Sequence, residues 1–386
     1  MREDACAAVL SGLTGATPLR LHNLLQERSA REALRAIESA SIGTEVAPTD
    51  VLAEWQREIN RVDMTAESAR LDELDAHVST LHDPVHPPQL ISDIDPAPLL
   101  FRRGTLPDPS LVHVAVVGTR RASSIGREVA RELGLGLAEA GFVVVSGLAL
   151  GIDGEAHRGA LLADAVPPLA VVGSGVDVVY PKRHRDLWEE VATVGALVSE
   201  APLGGRPEPW RFPARNRLIA AFSDLLVVVE SRHSGGSLLT VEQALRRDLQ
   251  VMAVPGSVRN RAADGTNQLL VDGCAPARDV TDVLVALGLS EVAVATRRNE
   301  PEVGVPEPEA VGTGASPMHS AAGIGDSAAV VGRTAVVLDA VDDGPTSLDE
   351  VVDRSGLGVI EVYAHVEELV AAGLVVHDGS RVRRQY

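Results

Sequence analysis

The side chains whose types and spacing most clearly suit chemistry lie at residues 212–245, FPARNRLIAAFSDLLVVVESRHSGGSLLTVEQAL. Arg215 and Arg217 flank Asn216, and arginine carries a fixed fork of donors that meets phosphate oxygens two at a time. Pro213 suits a first helical turn, where its missing N–H loses no partner, and backbone donors at that helix start would add to the arginines. After the apolar run 225–229 come Ser234, Gly235, Gly236 and Ser237, which can turn tightly and bring backbone N–H groups to a ligand. Phosphate is therefore the ligand to which this segment points. The two arginines lie two positions apart, so on a helix they face different ways. One meets the ligand while the other ties the helix to the sheet or to an acid such as Glu200 or Glu230. The Asn216 amide either braces the pocket or bonds a loop carbonyl.

Other constellations are weaker. Asp153 and His157 are four apart on one helical face, with Ser146 before Gly147 at a strand end, but no nucleophile is identifiable with the pair and capping and packing explain all three. The eleven histidines form no metal-ligand spacing, and no GxxxxGK[ST] loop supports ATP hydrolysis. Cys6 and Cys274 are too few and too far apart for a disulfide framework or a zinc site. No cofactor is expected.

A formal charge of −19, from 35 basic and 54 acidic residues, argues against coating duplex DNA by bulk attraction. A local basic groove is still compatible with it. The acid excess falls in the first hundred residues and the C-terminal third, while the nearly balanced middle holds Arg120, Arg121, Lys182, Arg183, Arg185, Arg211, Arg215 and Arg217. Apolar residues make up 45% of the chain with only 3% aromatic, so the core is built from Ala, Val, Leu and Ile, as in a parallel sheet covered by helices. No membrane span and no secretory pattern is read, and a cytoplasmic location is expected.

These residues need elements to position them. Residues 1–81 show helical spacing, as in Leu21, Leu24, Leu25, Leu34 and Ile37, and predict a small helical domain. The prolines of HDPVHPPQLISDIDPAPLLFRRG, residues 82–104, mark a connector. From residue 112 strands and helices alternate: VHVAVVG, SIGREVARELGLGLAEAG, FVVVSG, GIDGEAHRGALLADA, PLAVVGSG and onward to QVMAVPG. This predicts an α/β fold over 82–287, with a mostly parallel, doubly wound, Rossmann-like sheet and ligands at the C-terminal strand ends. Residues 288–328 read as a flexible linker. Residues 329–386 read as a winged-helix-like domain, with a helix-turn-helix at 347–354 and 359–372 and a hairpin at VVHDGSRVRR. Its many acids oppose a phosphate backbone and favour a protein-contact or regulatory role.

Taken in order, VAVVGTRRASSIG, VVVSGLALGIDGEAHRGAL, AVVGSGVDVVYPK, GALVSEAPLGGRPEPWRFPARNRLIAAFSDLLVVVE and AVPGSVRNRAADGTNQLLVDG resemble the DNA-processing protein A family, DprA, also called Smf. The resemblance spans residues 84–283. It implies an extended Rossmann-like domain without dinucleotide chemistry, binding of single-stranded DNA, homodimerisation, and loading of the RecA recombinase onto incoming DNA in natural transformation. Gly118, Thr119 and Arg120 match the family's glycine, serine or threonine, and arginine after the first strand, implying that Arg120 contacts phosphate. Lys182, after Tyr180 and Pro181, resembles a pocket lysine, and Arg183 follows it. Phe212, Pro213, Arg215, Asn216 and Arg217 match the Phe-Pro-x-Arg-Asn-Arg block in full. Gly235, Gly236 and Ser237 complete the expected DNA-binding set.

Departures are visible too. Leu150 replaces a family arginine, His184 replaces an asparagine and leaves a ring that can stack on a base or face water, Gly235 stands where serine is usual, and His86-Pro87 stands for Tyr-Pro. The N-terminal helices, by family precedent a helix-hairpin-helix or sterile-alpha-like module, match the DNA-gripping glycine hairpin poorly.

The reading is thus a binding protein, not an enzyme, whose basic pocket holds the sugar-phosphate chain. With few aromatics to stack, its sequence preference should be weak. A rival is a nucleotide-processing enzyme of the phosphoribohydrolase, lysine-decarboxylase-like type. Of that loop, SGGSLLTVE keeps two glycines, Thr240 and Glu242 but lacks the proline and third glycine. A third reading is a scaffold that contacts RecA and meets DNA only incidentally.

Overall fold

Runs of Val, Leu and Ala too apolar to face water on either side form the middle of a nine-stranded sheet. The computed structural model describes residues 2–289 and, beyond them, 337, 338, 340, 341, 346, 347, 351, 354, 355, 362, 365, 366, 369, 370, 375–378 and 381–384. Two compact units divide after Ala295.

The first unit opens with α1 (Glu3–Gly12), α2 (Pro18–Leu25), α3 (Ala30–Glu38), α4 (Thr49–Ile59) and α5 (Met64–Glu73). Thr17 caps α2 ahead of Pro18, Ser29 and Glu32 form a reciprocal capping box on α3, and Asp63 caps α5. The chain then enters the sheet through β1 (Ala76–Thr80), crosses one turn of helix, α6 (Pro88–Ile91), and returns as β2 (Leu99–Gly104).

This corrects the expected connector at 82–104 and the expected break at residue 81. β1 pairs antiparallel with β2, and β2 pairs antiparallel with the later strand β6 (Ala196–Ser199). Leu99 and Phe101 pack into one buried cluster with Leu10, Leu24, Trp55 and Trp188, while Leu100 packs into the core on the other side. The N-terminal helices are therefore a layer against the sheet's antiparallel edge, sharing its core.

The remaining strands are β3 (His113–Val117), β4 (Val143–Ser146), β5 (Leu169–Val171), β7 (Leu225–Val228), β8 (Gln250–Ala253) and β9 (Ala275–Pro276). Between and after them come α7 (Ser124–Glu139), α8 (Ile152–Leu162), α9 (Arg185–Val194), α10 (Arg211–Ala221), α11 (Leu238–Leu245), α12 (Asp264–Val271) and α13 (Val280–Ala286). The order is β1-β2-β6-β5-β4-β3-β7-β8-β9, parallel from β6 to β9. Winding runs outward from β3 through β4 and β5, then resumes on its other side at β7. The fold is thus a doubly wound α/β sheet whose direction reverses between β3 and β7, and ligands gather at the C-terminal strand ends around such a reversal.

In the second unit, β10 (Thr346–Ser347), β11 (Val375–Asp378) and β12 (Arg381–Arg384) make an antiparallel sheet in the order β10-β12-β11 over a cluster that includes Val337, Val341, Val351, Val366 and Val375. The expected hairpin corresponds to β11 and β12. Most of the expected helix-turn-helix, and the expected linker from residue 290 on, lie outside the described residues.

Candidate nucleic-acid interface

The loops leaving β3, β4 and β5 meet the start of α10 around a small pocket lined by Arg120, Gly147, Leu150, Tyr180, Phe212 and Arg215, among others. Two backbone requirements shape it. A Cβ on Gly147 would collide with the Arg215 guanidinium, so only glycine lets that side chain cross the end of β4. Gly151 has φ +83° and lies against the Thr119 carbonyl, bringing the β4–α8 loop onto the β3 loop. Leu148, at φ +52°, is a non-glycine residue in the left-handed region. Its carbonyl accepts a hydrogen bond from His184 Nδ1 at 3.0 Å. The His184 ring is buried by this contact, so it neither stacks on a base nor faces water.

Arg215 forms the floor. It is buried, its Nη1 donates to the Val171 carbonyl, and its Nε has no hydrogen-bond partner among the described residues. Burial pushes the guanidinium down to about 10, with Asp153 opposing that fall. Burial likewise pushes the Asp153 carboxyl up, against the pull of Arg215 and Arg120. A cation and an acid are thus enclosed together beneath the pocket.

Arg120 stands at the mouth, exposed, its guanidinium carbon 4.9 Å from the centroid of the Phe212 ring. Phe212 in turn lies 5.3 Å from Tyr180, tilted by 40°. The expectation that few aromatics could stack overlooked this pairing, although the chain's aromatic poverty made FP and YP conspicuous: two of only four Phe and three Tyr meet here. Trp210, just before α10, has the Arg211 guanidinium 4.5 Å from its ring centroid.

Lys182 and Arg183 are exposed in a turn just after the rim residues Tyr180 and Pro181, which are joined by a cis peptide bond. Among the described residues, neither they nor Arg120 and Arg121 have an acid within ion-pair distance, whereas Arg211 and Arg217 do. Arg217 turns away from the pocket. Its Nη2 meets Glu200 Oε1 at 2.5 Å, its Nε lies 3.3 Å from Asp95 Oδ2, and its Nη1 donates to the Asp95 carbonyl at 2.8 Å. Asn216 Nδ2 donates to the Gly236 carbonyl at 3.5 Å, which tethers the Gly235–Gly236 loop to α10 without bringing it into the pocket lining. Ser237 Oγ donates to Ser231 Oγ at 2.9 Å at the start of α11. Thr119 N donates to the Glu230 carbonyl at 2.7 Å, and Gly118 packs against Ile152 beside it.

The arrangement offers no proton relay. Ser146 Oγ donates to the Val116 carbonyl at 2.6 Å, and burial pushes the His157 ring down to about 3, which keeps it neutral. The pocket interior, about 40 Å³, is far below the roughly 300–1,000 Å³ of sites that enclose small-molecule ligands. Glu242 lies on α11, outside that lining. Among the described residues no helix is long and apolar enough to cross a membrane.

Residues 77–288 match the family described as DNA recombination-mediator protein A. The chain is 30% identical to Protein Smf of Synechocystis sp. over 79% of each chain. It is 36% identical to the DNA processing protein DprA of Streptococcus pneumoniae over 54% of this chain and 77% of that protein. The crystal structure of the S. pneumoniae DprA superposes with a TM-score of 0.63 and 30% identity, covering 72% of this chain and 95% of that one.

Proposed function

Since the chain belongs to the DNA recombination-mediator protein A family and has a DNA-processing role in recombination rather than a catalytic one, we propose that it binds single-stranded DNA at the C-terminal edge of its sheet and delivers it to RecA. The carrying observation is Arg120, exposed and without an ion pair among the described residues, set over the Phe212–Tyr180 pair and above the buried Arg215.

In this reading the strand lies along the rim with its phosphates on Arg120, Lys182 and Arg183, while Gly118 and Thr119, whose amide at 119 is held by the Glu230 carbonyl, shape the loop that presents Arg120. A base stacks on Phe212 or Tyr180, contacts that tolerate any sequence. Arg215 adds positive potential from the floor, while Arg217, Asn216, Gly235, Gly236 and Ser237 hold α10 and α11 in place. A duplex cannot curl its stiff backbone into so narrow a cleft, so single strands are selected. Bases further along remain free for the recombinase. A homodimer would place two rims on one strand and raise avidity through effective concentration. Natural transformation in the cytoplasm is the setting in which such a mediator acts on incoming strands.

The test is fluorescence anisotropy of a labelled single-stranded oligonucleotide with duplex competitor, beside RecA filament formation on coated DNA. Wild type should bind single strands selectively and promote filaments, and Arg120→Ala should weaken both. Equal competition by duplex overturns the pocket, and filament promotion that survives the loss of DNA binding favours a RecA scaffold instead.

A further inference from the structure

Where a doubly wound sheet reverses direction, a nucleotide's phosphates usually sit on the N-terminus of the next helix. In this chain that place lies between the ends of β3 and β7, at the start of α7, and one of its own side chains fills it. Glu230 is buried just beyond β7. Its carboxylate accepts hydrogen bonds from Ser123 N at 2.8 Å, Ser123 Oγ at 2.6 Å and Asn260 Nδ2 at 3.2 Å. Ser123 is the N-cap of α7, and its hydroxyl accepts from Gly126 N at 2.9 Å. A Cβ on Gly126 would overlap the carboxylate, so the helix start is built around it. Negative charge is favoured there by the helix dipole, and three donors satisfy an anion that would otherwise be costly to bury.

The same residue reaches the DNA site through its backbone. The Glu230 carbonyl accepts from Thr119 N, immediately before Arg120. The other backbone tie at Thr119 is longer, from Ile152 N to the Thr119 carbonyl at 3.4 Å. Among the described residues the Arg120 side chain has no ion pair, so its aim depends on how this loop is held. Glu230 therefore fastens together the β3–α7 loop, the cap of α7 and, through Asn260, the β8–α12 loop.

We propose that Glu230 is a positioning residue of the DNA site: a resident anion in the place of a nucleotide phosphate that fixes the loop presenting Arg120. The inference rests on the single-stranded DNA reading above. Without the carboxylate, Ser123 and Asn260 lose their common acceptor, the loop loosens, and DNA must order Arg120 as it binds, which weakens affinity.

The experiment measures oligonucleotide anisotropy for wild type, Glu230→Gln, Glu230→Ala, Arg120→Ala and the Glu230→Ala/Arg120→Ala double variant, with thermal melts alongside. Glu230→Ala should weaken binding about tenfold, while in the Arg120→Ala background it should add no more than about twofold, because coupled residues are not additive. Glu230→Gln should fall nearer to alanine, since its amide brings its own donor where three donors already converge. If Glu230→Ala does not fold, Ser123→Ala and Asn260→Ala each remove one donor and should show smaller losses that likewise vanish without Arg120. Wild-type affinity in Glu230→Ala, or losses that simply add to those of Arg120→Ala, overturns the inference while leaving the DNA site standing. If Arg120→Ala binds like wild type, the DNA site fails and this inference fails with it.

Discussion

Replacing Arg120 by alanine separates charge attraction from shape, and its effect can be worked out from the rim. Arg120, Lys182 and Arg183 are exposed, and among the described residues they have no acid within ion-pair distance, so each is available to a phosphate. Each phosphate neutralised on a single strand contributes about 0.7 to the slope of log K against log salt, so three contacts give a slope of about −2. Raising salt from about 50 to about 200 mM should then weaken the wild type about 20-fold. Without Arg120 the slope should shrink to about −1.4 and the same change should cost about sevenfold. Anisotropy titrations of a short oligonucleotide at four or more salt concentrations measure both slopes. Stability should be almost untouched, within about 0.5 kcal/mol, because the side chain is exposed. A variant slope equal to that of wild type refutes the assignment of a phosphate to Arg120, whatever happens to affinity.

The other side chains of the pocket should respond differently. Phe212→Ala should cost about 1–3 kcal/mol of single-strand affinity while leaving the salt slope unchanged, because stacking releases no counterions; a reduced slope would mean that the ring acts only by supporting Arg120. Arg215→Met should lower unfolding free energy in denaturant titrations, since it removes the cation that favours the buried Asp153 carboxylate, and adding Asp153→Asn should restore part of the loss. A near-neutral Arg215→Met would show that the pair is not enclosed as described. His157 titrates near 3 in the fold against an ordinary 6.5, so the folded state requires the neutral ring. Its contribution is complete above pH 6.5 and is lost as pH falls, at up to about 1.4 kcal/mol per unit. His157→Leu should flatten the stability profile between about pH 6.5 and 5, before carboxylates dominate, and an unchanged profile there would refute the assignment.

The alternation of short apolar runs with amphipathic segments made the parallel sheet readable, because strands buried on both faces must be continuously apolar and each parallel crossover must span a helix. The same alternation places ligands at the C-terminal strand ends, where Gly118 and Gly147 follow their strands. Helical geometry also dictated that Arg215 and Arg217 diverge, and Glu200 was one of the acids available to receive Arg217. Which arginine went where was not legible, since that depends on β5 offering the Val171 carbonyl on one side and on Asp95 and Glu200 waiting on the other. β2 was hidden for a related reason. LLFRRG follows a proline-rich stretch and is six residues long, and its partner β6 lies almost a hundred residues away. The stacking pair Tyr180 and Phe212 is likewise a product of topology, two residues of different loops joined only at the sheet edge.

The acidity that argues against a DNA-binding protein becomes intelligible once the cations are sorted by partner. Several arginines away from the rim are matched with acids: Arg2 with Asp4 and Asp72, Arg70 with Asp177, Arg103 with Glu189, Arg131 with Glu155, Arg247 with Asp93 and Arg278 with Asp282. At the rim Arg120, Arg121, Lys182 and Arg183 have no such acid among the described residues, and two carboxylates behind the loops are held inward, Asp153 with Arg215 and Glu230 on the start of α7. Salt screens charges beyond about 8 Å at physiological ionic strength, so the acids that give the chain its −19 contribute little where a strand would lie. On the proposed reading, a net negative surface then discourages indiscriminate contact with duplex, while the narrow positive edge retains only a chain flexible enough to enter it. The charge distribution and the pocket's size thus select for the same ligand.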